Sequence, residues 1–397
     1  MKITQSKWKQ KIPGWNPALT NELEGKAQLV LLFGGKSVLT SPEYPECINK
    51  LQQVHPHAHL LGCSTAGEIY DTQVMDDSLV ATAIHFESSQ IQGHCIDLDI
   101  GEDSFKAGDR LGKAIDTQGL VHVFVLSDGI QVNGSDLVKG LGQNLPANVS
   151  ITGGLSGDGS RFEETFIIWD GLPKKGAIAA LGFYGDTLKV GYGSLGGWKP
   201  FGTERVITKS KGNVLYELDG ESALALYKKY LGTHAKDLPS SGLRFPLKLQ
   251  RETEELSVVR TILSVNEDNQ SLTFAGDVPE GTKVYLMQGA DFKSLIAGAN
   301  AAAITSRNAL GNNLSPELAI LISCVGRKLV LKQDIESEVE EVREIMGAIP
   351  AITGFYSYGE ISPFRPGAAC ELHNQTMTIT TFSEAPFISG AACELTP

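Results

Sequence analysis

Cysteine offers this 397-residue sequence little scope for crosslinking: its six thiols, Cys47, Cys63, Cys95, Cys324, Cys370 and Cys393, include no C-x-x-C pair. A chain of this length buries enough apolar surface to hold without disulfides, so all six read as free thiols. Long apolar runs are also missing. The longest, such as LVLLF at 29–33, have strand length and fall far short of a bilayer span. The first thirty residues hold no apolar core of the signal-peptide kind. A cytoplasmic location is therefore expected, with no membrane partner. Positive charge is in deficit, with 34 Lys and Arg against 46 Asp and Glu for a net charge of −12. That argues against the basic face a nucleic-acid backbone demands, and no nucleic-acid partner is expected.

Catalytic signatures are scarce as well. There is no G-x-S-x-G elbow, no G-x-x-x-x-G-K-[ST] loop and no H-E-x-x-H helix. GCSTAG at 62–67 sets Cys63 and Ser64 in a glycine-rich segment where a nucleophile can sit, but no base can be assigned to either. ITGGLSGDGS at 151–160 has glycines enough to turn backbone N–H groups toward an anion. It lacks the lysine and the full G-x-G-x-x-G frame, so it reads as a tight turn beside a sheet. His55, His57 and His59 alternate in HPHAH, short of the four ligands of a structural zinc, and read as a polar loop. The absence of C-x-x-C-H excludes the usual covalent haem attachment.

What the chain does contain is a repeat. Three segments each run strand, helix, strand, glycine-rich loop, strand. The first passes from AQLVLLF at 27–33 to SLVATAIHF at 78–86, the second from LVHVFVLSDG at 120–129 to AIAALGFYG at 177–185, and the third from LAILISCVGR at 318–327 to QTMTITTF at 375–382. GCSTAGEI at 62–69 matches GFYSYGEI at 354–361 most sharply. In the first segment Ser41 and Pro42 are expected to start a helix whose buried stripe is Ile48, Leu51 and Val54. In the third, Asp334 is expected as cap, with Glu336 and Glu338 at the positive end, a stripe of Ile335, Val339, Val342 and Met346, Gly347 as terminator, and the other glutamates on a solvated face. Residues 258–263 alternate as a strand and turn at 266–270, as antiparallel hairpins do. The expected fold is α/β, α+β in parts: two domains, 26–220 and 221–384, with mixed sheets flanked by helices and built from related strand-helix-strand-loop-strand units.

Two residues stand at strand ends where ligands are gripped. Arg327 follows the apolar strand of the third segment, where a guanidinium can hold a carboxylate or propionate, or pair with Glu360 and tie two loops. His373 stands at the mouth of the strand 376–382, beside Phe355, Tyr356 and Tyr358. It is either part of a turn feeding that strand or a ligand.

GCSTAGEI, LSDG, ITGGLSGDG, GYGSLGGWKPFG, ELDGESALALYKKYLG, SCVGR, GFYSYGEI and LHNQTMTITTFSE, in that order over residues 26–384, resemble the FIST proteins with both their N-terminal and C-terminal domains. The resemblance implies a bacterial, intracellular, non-enzymatic sensor of a small molecule, with amino acids as proposed ligands. One branch of that family binds haem, senses nitric oxide and modulates histidine kinases or cyclic-di-GMP enzymes. On that footing His373 would ligate the iron of haem b, and Arg327, Tyr356, Tyr358, Glu360 and Asn374 would line the ligand site. No kinase or cyclase segment fits outside the two domains, so the signal is expected to pass to a separate protein. The alternatives are an amino-acid receptor using Arg327 on the carboxylate, and an enzyme using Cys63 or Ser64.

Overall fold

Three pairs of parallel strands organise the chain. In the computed structural model, which describes residues 1–385 apart from 11, 13, 100, 251–256, 289–291, 312–313 and 366, they are Leu29–Gly35 with His59–Thr65, Leu120–Ser127 with Ser150–Leu155, and Leu318–Cys324 with Ala351–Ser357. Each first strand is an almost continuous apolar run because both faces of its sheet are covered. A further strand, Ser78–His85, Ala177–Tyr184 or Met377–Glu384, lies antiparallel on the other side of it. The outer strands Lys2–Lys9, Gln90–Asp97 and Leu188–Leu195 complete the three sheets. The repeat expected from sequence is thus present three times.

The units are interlocked by exchange. Each sends the hairpin that follows its glycine-rich loop into a neighbour's sheet. Glu68–Tyr70 of the first unit pairs with Ala351–Ser357 of the third, Gly359–Pro363 of the third pairs with Ser150–Leu155 of the second, and Ile167–Trp169 of the second pairs with His59–Thr65 of the first. The result is a cyclic, pseudo-threefold arrangement in which no sheet is complete without the next unit.

One glycine per unit permits the close strand contact. A Cβ on Gly62, Gly153 or Gly354 would overlap the carbonyl oxygen of Leu32, Val125 or Leu321 respectively, and these are the residues facing them across the parallel pairs.

The described residues of 199–288 form a separate antiparallel layer with the helix Ala223–Leu231 and a core of its own. It is inserted between Leu188–Leu195 and the helix Phe292–Ala309 of the third unit. The hairpin turn expected at 266–270 is there, joining Ile262–Asn266 to Ser271–Phe274. The strand expected at 258–263 is broken at Thr261, whose N–H leaves the sheet to donate to Asn374 Oδ1.

Three local expectations are corrected. Ser41 and Pro42 do not start the first unit's helix: the chain makes a short helix at Lys36–Leu39, and the longer one begins at Tyr44 with Pro45 in its first turn and no side-chain cap. Asp334 is not a cap, because it lies in the 3-10 turn Lys332–Asp334, and Ile335 precedes the helix Glu336–Met346. Glu338 is fully buried and bonded to Arg327 instead of serving the helix's positive end. Gly347 closes that helix at φ 78°.

Candidate ligand-binding site

The match between GCSTAGEI and GFYSYGEI has a structural meaning. Thr65 and Ser357 each donate a hydroxyl hydrogen to the glutamate three residues on, Glu68 or Glu360. The second oxygen of Glu68 accepts from Ser78 N and Oγ, and that of Glu360 from Thr376 N and Oγ1. The two sites are the same site in two units. Burial raises both carboxyls, Glu68 to about 7 and Glu360 to about 8, against the hydroxyl and amide donors that lower them.

The glycine-rich loops meet where the three units converge. Ala66, Gly157 and Tyr358 hold the corresponding place in the three units, four residues after Gly62, Gly153 and Gly354. A Cβ on Gly157 would stand 3.0 Å from Ala66 N and 3.3 Å from the Tyr358 ring. There is room for one large side chain, and Tyr358 takes it, stacked on Phe162 at 4.2 Å and bonded through its hydroxyl to Asp158. Asp158 also accepts from the N–H groups of Phe162, Glu163 and Glu164. Within the loop itself the N–H groups of Ser156, Gly157, Asp158 and Gly159 donate to Ser127 O, Ser64 O, the Tyr358 hydroxyl and Thr65 O, so its donors point inward, as a packed turn requires and a phosphate cradle does not.

Beside this junction, on the Ala66 side, lies a cleft of about 540 Å³. The first unit contributes Gly35, Thr65 to Glu68, Asp76 and Asp77; the second Gly159, Ser160 and Arg161; the third Val325, Lys328, Leu329 and Lys332. It opens outside the C-terminal ends of two parallel strands, where ligands of α/β sheets commonly bind. Lys328 Nζ donates to Ala66 O at 2.8 Å and pairs with Asp76. Arg161 is half-exposed, with its Nε 3.8 Å from Asp158. Cations, carboxylates and the apolar Val325 and Leu329 thus share one concave surface.

The residues expected as ligand contacts are placed differently. Arg327 is fully buried and spends its guanidinium on Glu338, Gly196 O and Leu295 O, not on a ligand and not on Glu360. Its neighbour Lys328 faces the cleft, one residue around the helix Val325–Leu331. Tyr356 is fully buried and donates to Glu338 Oε1 at 2.6 Å; Tyr358 is committed to Asp158, and Glu360 to Ser357 and Thr376. Asn374 is buried between Tyr358 O and Thr261 N. Sequence reading passed over Lys328, Arg161 and Asp76. Aligning VMDDS at 74–78 with LHNQT at 372–376 is the signal that points to Asp76 and Asp77.

His373 does not fit a haem ligand as placed. The imidazole is 3% exposed, its Nε2 donates to Ser362 O at 2.9 Å, and the Phe364 ring stands edge-on to it at 4.8 Å. An iron on Nε2 would have to break that bond. Among the described residues no group of three or more His, Cys, Asp or Glu is arranged to hold a metal ion, which covers His55, His57 and His59. Cys63 is fully buried with its thiol pushed well above the ordinary range, and Ser64 Oγ accepts from Phe166 N. Cys47, Cys63, Cys95, Cys324 and Cys370 are free; Cys393 lies outside the described residues. No helix among the described residues is long and apolar enough to cross a membrane.

Three interlocked α/β units, an inserted β-layer and a charged cleft at the junction define a mixed α/β protein with a small-molecule-sized crevice. The chain belongs to the FIST family: the FIST N domain matches residues 28–221 and the FIST C domain residues 223–363. Domains of this family sense small ligands in signalling proteins. A curated relative is the uncharacterized protein MJ1623 of Methanocaldococcus jannaschii, 25% identical over 341 residues. That match covers 80% of this chain, which spans 64% of the relative's length. Among solved structures, the chain is similar to the cyanuric acid hydrolase of A. caulinodans at a TM-score of 0.35 and 8% identity, and to a second cyanuric acid hydrolase structure at 0.34 and 9%. Each covers 96% of this chain and 99% of the other.

Proposed function

We propose that the chain senses a zwitterion of amino-acid size, held in the cleft between the three units, and reports its presence to a separate signalling protein such as a histidine kinase or cyclic-di-GMP enzyme. The observation that carries this reading is the charge pattern: Arg161, Lys328 and Lys332 line one cavity with Asp76 and Asp77. A carboxylate suits the cations and an ammonium the aspartates, while Val325 and Leu329 receive an aliphatic side chain. The reading is non-catalytic, in keeping with the burial of Cys63 and Ser64.

A route outward starts at the cleft. Glu68 opens the exchanged hairpin that ends at Met75, whose Val74 N donates to Glu336 and whose Asp71 pairs with Arg343, both on the helix Glu336–Met346. A ligand touching Thr65 to Glu68 therefore acts on elements of the first and third units together.

Equilibrium dialysis against a labelled mixture of the twenty amino acids tests the proposal. One or more should be retained, and Lys328→Met with Arg161→Ala should release them. Retention by that double variant, or none by the parent, would rule the reading out.

A further inference from the structure

The cleft of the first unit has a counterpart in the third, and the counterpart is already filled. The hairpin registers set the correspondence: Glu68 faces Met75 as Glu360 faces His373. Asp76, Asp77 and Ser78 therefore match Asn374, Gln375 and Thr376, and Ser78 and Thr376 serve their glutamates identically. Asp77 and Gln375 even share a left-handed backbone, at φ 51° and 64°.

In the third unit the inserted layer fills this crevice. Thr261 donates its N–H to Asn374 Oδ1 at 3.3 Å, and its hydroxyl accepts from Gln375 Nε2 at 3.0 Å. Asn374 Nδ2 reaches Tyr358 O at 3.5 Å. One amide side chain thus gives a donor to the loop and an acceptor to the segment that covers it.

In the first unit the same two duties are divided. Asp76 has no donor to offer, and the carbonyl matching Tyr358 O, that of Ala66, receives Lys328 Nζ instead. Lys328 ties to Asp76 through Oδ1, and Asp76 Oδ2 makes no hydrogen bond among the described residues. Asp76 is 68% exposed where Asn374 is fully buried, because none of the described segments covers it. Asp77 likewise replaces an amide by a carboxylate and takes its hydrogen from Ser37 Oγ. Both positions that meet Thr261 in the third unit have become pure acceptors, and negative ones, in the first.

We infer that Asp76 is the specificity-determining residue of the cleft, and that its Oδ2 receives an ammonium group of the ligand in the place where Asn374 Oδ1 receives the Thr261 N–H. This rests on the reading of the cleft as a zwitterion site and adds which group goes where. A carboxylate favours a charged donor over the neutral amide that Asn374 accepts.

The test compares two probes on the parent, on Asp76→Asn and on Asp76→Ser: the mixture of amino acids, and a mixture of the matching 2-hydroxy acids, which keep carboxylate and side chain but lack the amine. The parent should hold the amino acids at least about tenfold more tightly, the discrimination of a charge-assisted hydrogen bond. Both variants should bind the two mixtures nearly alike, with ligand-free melting temperatures near that of the parent. A parent that binds both mixtures equally, or variants that keep the preference, overturns the inference and leaves the zwitterion site standing. A parent that binds neither overturns the site itself and the inference with it.

Discussion

Gly354 lies so close to Leu321 that a Cβ on it would overlap the Leu321 carbonyl oxygen, and Gly62 and Gly153 stand in the same relation to Leu32 and Val125. The obstacle is strand backbone in the middle of a sheet, which cannot swing aside as a flexible side chain can. Gly354→Ala is expected to cost about 3 kcal/mol or more by denaturant unfolding, since overpacking against fixed backbone lies at the upper end of single-residue effects. Gly142, whose Cβ would meet only the tip of Ile151 at 3.8 Å, is the control, and its alanine variant should be tolerated. Equal effects at the two sites would contradict the packing argument.

The exchange of hairpins bears on where the chain can be cut. Residues 1–221 lack the Ala351–Ser357 strand that receives their hairpin at Glu68 and the Gly359–Pro363 strand that completes the second sheet. That fragment should give a poorly dispersed amide spectrum, whereas mixing it with residues 222–397 should restore dispersion. A well-dispersed spectrum from the fragment alone would show that the units fold separately.

Two buried carboxyls, Glu68 and Glu360, should make stability fall on the alkaline side of neutrality. Burial raises Glu68 to about 7 and Glu360 to about 8 from an ordinary 4.5. Between pH 4.5 and those values the folded chain keeps two protons that the unfolded chain has released, so the contribution of these two carboxyls is full below pH 4.5 and declines as pH rises toward 8. The melting temperature should fall from pH 6.5 to pH 8, above the range in which His55, His94 and His122, whose pKa burial lowers, take up protons in the unfolded chain, and the double variant Glu68→Gln with Glu360→Gln, a mimic of the protonated state, should flatten that decline. An unchanged slope in the variant would mean other groups set it.

Much of this was legible in the sequence. The threefold repeat, the shared GEI motif and the small helix-terminating Gly347 all follow from local pattern, because apolar runs and glycine positions reflect contacts within one unit. The exchange was not legible, since a three-residue strand such as Glu68–Tyr70 carries the same alternation whichever sheet it joins. Which residues border the cleft was not legible for a related reason. Arg327 and Lys328 are adjacent, and only the turn of the helix decides that one enters the core with Glu338 and the other faces the cleft. The break at Thr261 is set by Asn374, more than a hundred residues away.

His373 supports its strand by the bond to Ser362 O and the contact with Phe364. His373→Ala should lower stability by about 1–3 kcal/mol through the buried carbonyl left unpaired. Haemin added to the parent should give the same absorption spectrum as haemin added to this variant. A Soret band of ligated haem, present in the parent and lost in the variant, would restore His373 as an iron ligand.

Arg327 and Glu338 form a fully buried ion pair at 2.7 Å. Removing one partner should be costly: Arg327→Met is expected to destabilise by about 3–5 kcal/mol, and Arg327→Met with Glu338→Leu to recover much of that loss. Ligand retention by the folded double variant should match the parent. Loss of retention there would return Arg327 to the binding site.

The location of the ligand is tested most directly by amide chemical shifts in the intact, isotope-labelled chain titrated with the amino-acid mixture. The account predicts saturable shifts at Gly67, Asp76, Ser160, Arg161 and Lys328, the residues that border the cleft, with little change around Asn374 and Thr261, where the matching crevice is filled. Shifts centred on Asn374 and Thr261 with none at Lys328 and Asp76, or no saturable shifts at all, would contradict it.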